Sequence, residues 1–395
     1  MHIPMSSPDL TEAEIQAVNR VLSTPYLSFG PQLKSFETAF ASDIGTKYAV
    51  GVNSGTSGLH LCAVAAGIGK DDLAITTPFS FIASSNIILY EQGIPIFVDV
   101  ESTTGNMDTT HVEECVYDLM KGKRAVQKWL PPSARNLNPN KKSLKSILPV
   151  HAFGQPVEIS PLLKLRKLYN LSIIEDACEA IGAEYKGRKV GTFGDAAVFA
   201  FYPNKQMTTG EGGMIVTSDK KWSNLFLSLR NQGRDVFNSW LEHTRLGYNY
   251  RLDEMSAALG LAQLKRIEEL LEKRDKVAKW YTIRLENQNG IRVLFISKNT
   301  TKLSWFVYVI RLESKNTRDR IMKELAKKNI PSRPYFSCIH LQPFYRKKFG
   351  YRRGNFPIAE ELADVSLALP FSGVMNENQV DYVCQNLINL LQNIR

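Results

Sequence analysis

Residues 196–217 read AAVFAFYPNKQMTTGEGGMIVT. An apolar run enters a polar, glycine-rich loop carrying one lysine, Lys205, and a second apolar run leaves it. Residues 196–201 and 214–216 are too short, and too rich in aromatic and β-branched side chains, for helices of ordinary length, so both predict buried strands. The loop between them then begins and ends inside the fold. A lysine held there is partly withdrawn from water, which favours the neutral amine that attacks carbonyls or moves protons as a base. Gly210, Gly212 and Gly213 let the loop turn tightly and approach a ligand closely. Read alone, the stretch is equally compatible with a surface hairpin bearing an ordinary solvated lysine, one of 49 Lys and Arg residues.

Strand and helix alternate on the N-terminal side of this stretch. Thr11 and Glu14 have capping-box spacing ahead of Ile15, Val18, Val21 and Leu22, which predicts a helix from about residue 11. Helical patterning resumes over 36–40, and residues 48–52 read as a strand entering Asn53-Ser54-Gly55-Thr56-Ser57-Gly58, followed by a helix with Leu59, Cys62, Ala63 and Ala66 on one face. That geometry aims backbone N–H groups at a phosphate, although small residues also cap helices that bind nothing. Residues 73–77 predict a strand, and the Phe79 and Phe81 that follow fit either the core or the face of a flat ring. Further strands are expected at 96–100, 146–150 and 172–174, with Ser160-Pro161 capping a helix between the last two. Glu175-Asp176 then lies at the carboxyl end of a strand, where open parallel sheets bind ligands. The alternation predicts an α/β fold with a mainly parallel, doubly wound sheet.

Residues 118–145, DLMKGKRAVQKWLPPSARNLNPNKKSLK, interrupt the pattern. They are basic and rich in Pro, Asn and Ser, and predict a long surface excursion, a lid or contact loop. Beyond the polar, aromatic loop at 245–251, Asp253 is a natural N-cap, and apolar residues at 255, 259, 262, 264, 267 and 271 predict one long amphipathic helix. A strand at 305–310, a helix at 318–328, a turn at 370–373 and a last helix from about Glu377 make a smaller α+β unit. The expected division is a large ligand-binding domain over 1–250 and, over 251–395, a linking helix with a small C-terminal domain.

A chain of 395 residues with 44% hydrophobic and 22% charged residues is composed like an ordinary soluble globular protein. It has no run of about 18 apolar residues, and MHIPMSSPDL lacks the charged-then-apolar pattern of a signal peptide, so a cytoplasmic protein without membrane contact is expected. Cys62, Cys115, Cys178, Cys338 and Cys384 are odd in number and widely spread, which argues for reduced thiols and against disulfides or a metal site. The formal charge of +10 would suit nucleic acid, but no binding motif accompanies it. An anionic small substrate uses the excess equally well.

In chain order, NSGTSGLHL, PFSFIAS, FVDV, PVHAFGQP, IEDACEAIGAEYKG, FYPNKQMTTGEGG, GYNYRLDEMSAALGLAQL and HLQPFY resemble the DegT and StrS type of pyridoxal-phosphate (PLP) nucleotide-sugar aminotransferases, in the aspartate-aminotransferase superfamily. The likeness runs from Phe29-Gly30-Pro31 to the C-terminal helix, the basic excursion apart. It implies a PLP-transferase fold with a seven-stranded sheet, in which Lys205 is the Schiff-base lysine. Asp176 is implied to pair with the protonated pyridine nitrogen, keeping the ring able to accept electrons. Phe81 is similar to the aromatic that stacks on the ring, Ser54, Gly55 and Thr56 to the phosphate loop, and Glu179 stands where Gln or His usually lies near the ring hydroxyl. Asn249 matches an asparagine supplied by the neighbouring subunit, which implies a homodimer with active sites at the interface. The chain departs from the pattern at Ala200, where many members have a phosphate-binding serine, and at Cys178, where alanine is common.

The resemblance further implies that L-glutamate leaves its amine on the cofactor, giving pyridoxamine phosphate (PMP), and that the amine passes to a keto group on a nucleotide-linked sugar. The Thr208–Gly213 loop is more similar to that of members acting on 4-keto sugars than to the GDGG variant of members acting on 3-keto sugars, and the expected substrate is a 4-keto-6-deoxy sugar. Arg251, Tyr335 and His340 fit either the nucleotide-sugar side or ordinary structural roles. Two alternatives remain at this level: a PLP-dependent sugar dehydratase, which has His at the lysine position, and a PLP-binding regulator, for which no helix-turn-helix extension is present.

Overall fold

Alternate side chains of the strand preceding Lys205 go to opposite faces. Ala197 and Phe199 join Phe36, Phe40, Met214 and Val216 in one apolar cluster, whereas Val198 joins Leu59, Ile174 and Ile215 in another. A strand apolar on both faces belongs inside a sheet covered on both sides. The computed structural model, which describes residues 3–136, 143–234 and 242–394, has that arrangement.

The strands are β1 (Tyr48–Val52), β2 (Leu73–Thr76), β3 (Ile94–Phe97), β4 (Leu144–Ile147), β5 (Ser172–Asp176), the small hairpin β6 (Glu184–Tyr185) and β7 (Arg188–Lys189), β8 (Ala196–Ala200) and β9 (Gly213–Thr217). Seven of them form one sheet in the order β1-β9-β8-β5-β4-β2-β3. Only β9 runs against its neighbours, and the pairings from β8 through β3 are parallel. The expected mainly parallel sheet is therefore present.

The intervening helices are α1 (Glu12–Leu22), α2 (Pro31–Ile44), α3 (Gly55–Ala65), α4 (Ala83–Tyr90), α5 (Thr109–Lys121), α6 (Ile159–Tyr169) and α7 (Lys220–Leu229). The Thr11–Glu14 capping box forms as its spacing predicts. Ser54 caps α3 by accepting from the Ser57 N–H at 3.0 Å. Beyond the sheet lie α8 (Glu254–Lys265) and α9 (Ile267–Leu285), then a unit of β10 (Thr300–Lys302), β11 (Tyr308–Arg311), α10 (Lys315–Lys327), α11 (Pro343–Phe349), α12 (Pro357–Val365), β12 (Ser366–Leu369) and α13 (Glu377–Ile394). There β11 pairs antiparallel with β12 above a core that includes Tyr281, Tyr308, Ile321, Leu367 and Val383.

Several expectations are corrected. The single helix after Asp253 is two, because the backbone at Arg266 leaves the helical region (φ −110°, ψ 12°) while its guanidinium binds Asp9, Glu14 and Glu269. The hydrophobic period runs on through the break, so the pattern alone conceals it. The 118–145 segment is not a free excursion: Leu119, Val126, Leu130 and Ala134 are buried on the β2–β4 side of the sheet, and the Trp129 indole donates to Asp118 at 2.9 Å. Residues 137–142 of that segment lie outside the described residues. β3 ends at Phe97, short of 100, because Asp99 turns away to accept from the Ile358 and Ala359 N–H groups at the start of α12. β4 ends before Pro149, which has no N–H for a ladder. Ser160 lies inside α6, bonded to the Tyr185 hydroxyl at 2.8 Å, and caps nothing.

Candidate active site

The carboxyl ends of β5 and β8, the β8–β9 loop and the N-terminus of α3 surround a cavity of about 430 Å³. Each wall follows from local chemistry. The Ser54 cap starts α3 at Gly55, which puts the first-turn N–H groups, unpaired within any helix, at the cavity edge. Gly55 is tightly placed: a Cβ there would lie 2.8 Å from the Ala200 Cβ and 2.9 Å from Cys178 Sγ. Gly213 is equally confined, since its Cβ would meet the Ser54 carbonyl at 2.7 Å. These close approaches bring the phosphate-type turn, the floor of β8 and the loop after Lys205 together around one space.

Lys205 sits at the turn after β8 with its side chain 13% exposed. Its Nζ lies 3.7 Å from Glu179 Oε1 and 3.9 Å from the centre of the Phe306 ring. The surrounding loop is held by the Gln206 amide, which donates to Glu179 O at 2.6 Å and to Ser304 Oγ at 2.8 Å, and by the Thr208 hydroxyl on Phe201 O at 2.9 Å. Asp176, also buried, ends β5 and accepts the Cys178 N–H at 3.2 Å. The neighbouring Glu175 faces the other way: it takes N–H groups from Gly191, Phe193 and Gly194 and pairs with His151, which fixes the strand end that presents Asp176. Burial pushes the Glu179 carboxyl above its ordinary range, opposed by the Lys205 charge and the Phe153 N–H that it accepts at 3.0 Å. Tyr335 is also raised, by burial and by the charge of Glu179.

Of the residues singled out in the sequence, Ser54, Gly55, Thr56, Phe81, Asp176, Glu179, Lys205 and Tyr335 all line this cavity, as do the two departures Cys178 and Ala200. Phe79 and Phe81 part company: Phe79 is fully buried in the core and Phe81 stands 66% exposed at the cavity. Asn249 and Arg251 do not line it. Asn249 is exposed and bridges to Asn231, while the Arg251 guanidinium binds Asn231 Oδ1 and Gln232 Oε1, each at 3.1 Å. His340 is corrected to a core residue: it is 0% exposed, bonds Glu360 at 2.9 Å and packs on Phe356, and burial lowers its basicity. Sequence reasoning missed Tyr202, Asn204, Glu211, Phe306 and Phe336 as lining residues. The first three flank Lys205 in its own loop, which was signal enough; the two phenylalanines come from distant segments with none.

The donor set fits PLP. A buried amine, a buried carboxylate and a helix N-terminus face one space, and the buried Asn204 Oδ1 has no hydrogen-bond partner there. The model of the DegT/DnrJ/EryC1/StrS aminotransferase family matches residues 8–388. The chain belongs to that family. This aminotransferase is 34% identical to the GDP-perosamine synthase of Escherichia coli O157:H7 over 98% of each chain. It is similar in structure to Helicobacter pylori PseC, an aminotransferase of pseudaminic acid biosynthesis, with TM-score 0.86, 28% identity and full coverage of both chains. It is also similar to the PLP form of the putative sugar aminotransferase Spr1654 of Streptococcus pneumoniae, with TM-score 0.88, 25% identity and full coverage of both. The aminotransferase is PLP-dependent, and the cofactor alternates with PMP, as the PLP and PMP forms of Spr1654 illustrate. Among the described residues no helix is long and apolar enough to cross a membrane.

Proposed function

We propose that this aminotransferase moves the amino group of L-glutamate to the keto carbon of a nucleotide-linked 4-keto-6-deoxy sugar, in the making of amino sugars for a surface polysaccharide or glycan. The observation that carries the reading is that Lys205 and Asp176 line one cavity together with Gly55 and Thr56 at the N-terminus of α3. The GDP-perosamine synthase and PseC relatives support a sugar substrate.

When bound, PLP supplies an electron sink for charge left on the substrate carbon. Asp176 would hold the proton on the ring nitrogen. Ser54, Gly55 and Thr56 would bind the phosphate through the first turn of α3, where the helix end favours an anion. Phe81 would cover one ring face and Glu179 would face the ring hydroxyl. Lys205 would hold the cofactor between turnovers, then, once released, use its amine to carry a proton between the two carbons flanking the transferred nitrogen. Tyr335 would contact the sugar side.

The cavity offers Asp176, Glu179 and Glu211 against Lys205, an acidic balance for a phosphate-bearing cofactor and an anionic substrate. Added positive charge would then come from the 245–251 loop of a second copy of the chain, which carries Arg245 and Arg251. Leu246, Tyr26 and Phe29, at 84%, 60% and 44% exposure, lie on this loop or on the segment before α2 and leave apolar surface uncovered. Both observations support a homodimer in which Asn249 and Arg251 complete the partner's site. A cytoplasmic location, with 1–250 as the cofactor domain and 251–395 as the linking helices and small domain, belongs to the same reading.

The test is a glutamate half reaction followed by a panel of nucleotide-linked keto sugars. The expected result is amination of a 4-keto sugar, abolished in Lys205→Ala. Loss of a sugar hydroxyl would favour the dehydratase alternative, and DNA binding without any half reaction would favour the regulator.

A further inference from the structure

Arg274, in α9, is 3% exposed, and no carboxylate among the described residues comes within ion-pair distance of it. Burial holds its basicity down, to about 10, with Asp9 opposing from further away. A guanidinium in that position costs free energy unless its donors are used. Its bonds go to four backbone carbonyls: Asn204 O at 3.2 Å, Lys205 O at 2.6 Å, Trp305 O at 3.4 Å and Phe306 O at 3.2 Å. Neither segment is a helix or a sheet strand, so no ladder N–H donates to these carbonyls.

The two segments are the two sides of the lysine. One is the main chain of Lys205 itself; the other carries Phe306, whose ring centre lies 3.9 Å from Lys205 Nζ. The Arg274 guanidinium also lies 5.6 Å from the Phe371 ring, and its stem passes under the Gly373 turn. Arg274 therefore ties the lysine loop to the C-terminal unit from behind the cavity. It is absent from the cavity lining, so it touches neither cofactor nor substrate there.

We propose that Arg274 is a positioning residue for amine transfer: it fixes the Lys205 main chain against Phe306 so that the amine keeps one approach to the reacting carbons. The inference rests on Lys205 being the cofactor lysine. A planar fork can serve both carbonyl pairs at once, whereas a lysine ammonium is a point donor that reaches one. A displacement of about 1 Å at a reacting group costs on the order of 100-fold in rate.

The experiment compares Arg274→Lys and Arg274→Ala with the natural chain as holoenzymes, at saturating glutamate and keto sugar. Hydrogen exchange of the full chain, with and without PLP, is the second readout. For Arg274→Ala, kcat is expected to fall about 100-fold with KM for the sugar within about 3-fold, as lost orientation without lost binding requires. Millimolar guanidinium should restore part of that loss and equimolar sodium should not. Exchange should quicken at 203–207 and 304–307 and stay unchanged in α10. If the alanine variant does not fold, Arg274→Lys decides: it should fold, with slowed kcat and the same local exchange.

Normal kcat in either folded variant, rescue by sodium as good as by guanidinium, or unchanged exchange at 203–207 would overturn the inference. Borohydride separates the two claims. Cofactor fixed to another lysine of the natural chain overturns both, whereas cofactor on Lys205 with normal kcat in the variants overturns this one alone.

Discussion

Alanine at Gly55 would bring a methyl carbon within 2.8 Å of the Ala200 Cβ and 2.9 Å of Cys178 Sγ. Non-bonded carbons sit comfortably at about 3.5–4.0 Å, so the start of α3 must retreat from β8 by roughly 1 Å. Ala200 ends β8 and Cys178 lies in the turn after β5, and the Ala200 Cβ has no side-chain torsion by which to move away. Overpacking of this kind costs about 1–3 kcal/mol of stability. The larger effect falls on the cofactor. A hydrogen bond of about 2.9 Å from a first-turn N–H to a phosphate oxygen, stretched by that retreat, is no longer a bond. Each such bond to a charged group contributes about 1.5–3 kcal/mol, or roughly 10- to 100-fold in affinity.

The assay is titration of cofactor-free Gly55→Ala with PLP and, separately, with pyridoxal, which lacks the phosphate. PLP affinity should fall at least about 10-fold per bond lost, and pyridoxal affinity should change by less than about 3-fold. Adding Ala200→Gly, which removes the nearer clash, should return part of the loss, as coupled neighbours do. Unchanged PLP binding, or an equal fall for both compounds, would refute the assignment of this turn to the phosphate.

Three further predictions concern other parts of the molecule. The Glu14 carboxyl, although burial pushes it up, is held at about 2 in place of 4.5 by hydrogen bonds from Thr11, Gln263 and Arg266. Because the folded value is the lower one, its stabilisation is complete above pH 4.5 and is lost as pH falls towards 2. Urea midpoints of Glu14→Gln should be lower than the natural chain's at pH 7 and fall less steeply across that window; parallel curves would contradict this. Ala200→Ser restores the hydroxyl common in the family and should slow PMP loss on dialysis by about 10-fold, the worth of one charge-assisted bond; equal loss would show that this wall does not face the phosphate. Mixing inactive Lys205→Ala and Asn249→Ala proteins under subunit exchange should regain activity that neither has alone, because one site of each mixed dimer is then whole. No gain would leave Asn249 outside the partner's site.

How far the sequence could be read depended on whether the signal was local. The β8–loop–β9 unit was legible because its period changes within a few residues and nothing distant overrides it. Ser54 and the Thr11–Glu14 box were legible for the same reason, since caps are chemistry of adjacent residues. The ends of β3 and β4 were not. Asp99 leaves the sheet to cap α12, about 260 positions away in the chain, and no local pattern records that demand. The break at Arg266 was hidden by an apolar period that continues through it, and the burial of Val126 and Leu130 by the basic residues around them.

At the cavity, the Glu175-Asp176 pair could be placed because open parallel sheets bind ligands at their strand ends, whereas the roles of Lys205 and Asp176 and the choice of Phe81 rested on the resemblance of their motifs to the family. Phe306 and Arg274 could not be named, because each enters from a segment whose own sequence says only core or helix. His340 stands in a motif of the family and still proves to be packing, which only burial and the Glu360 bond reveal.

Borohydride reduction of the PLP-loaded protein, followed by peptide mass mapping, tests the central claim most directly. The pyridoxyl mass should appear on the peptide containing Lys205 and on no other. The same mass on a different lysine, in protein that still transfers the amine, would contradict the account.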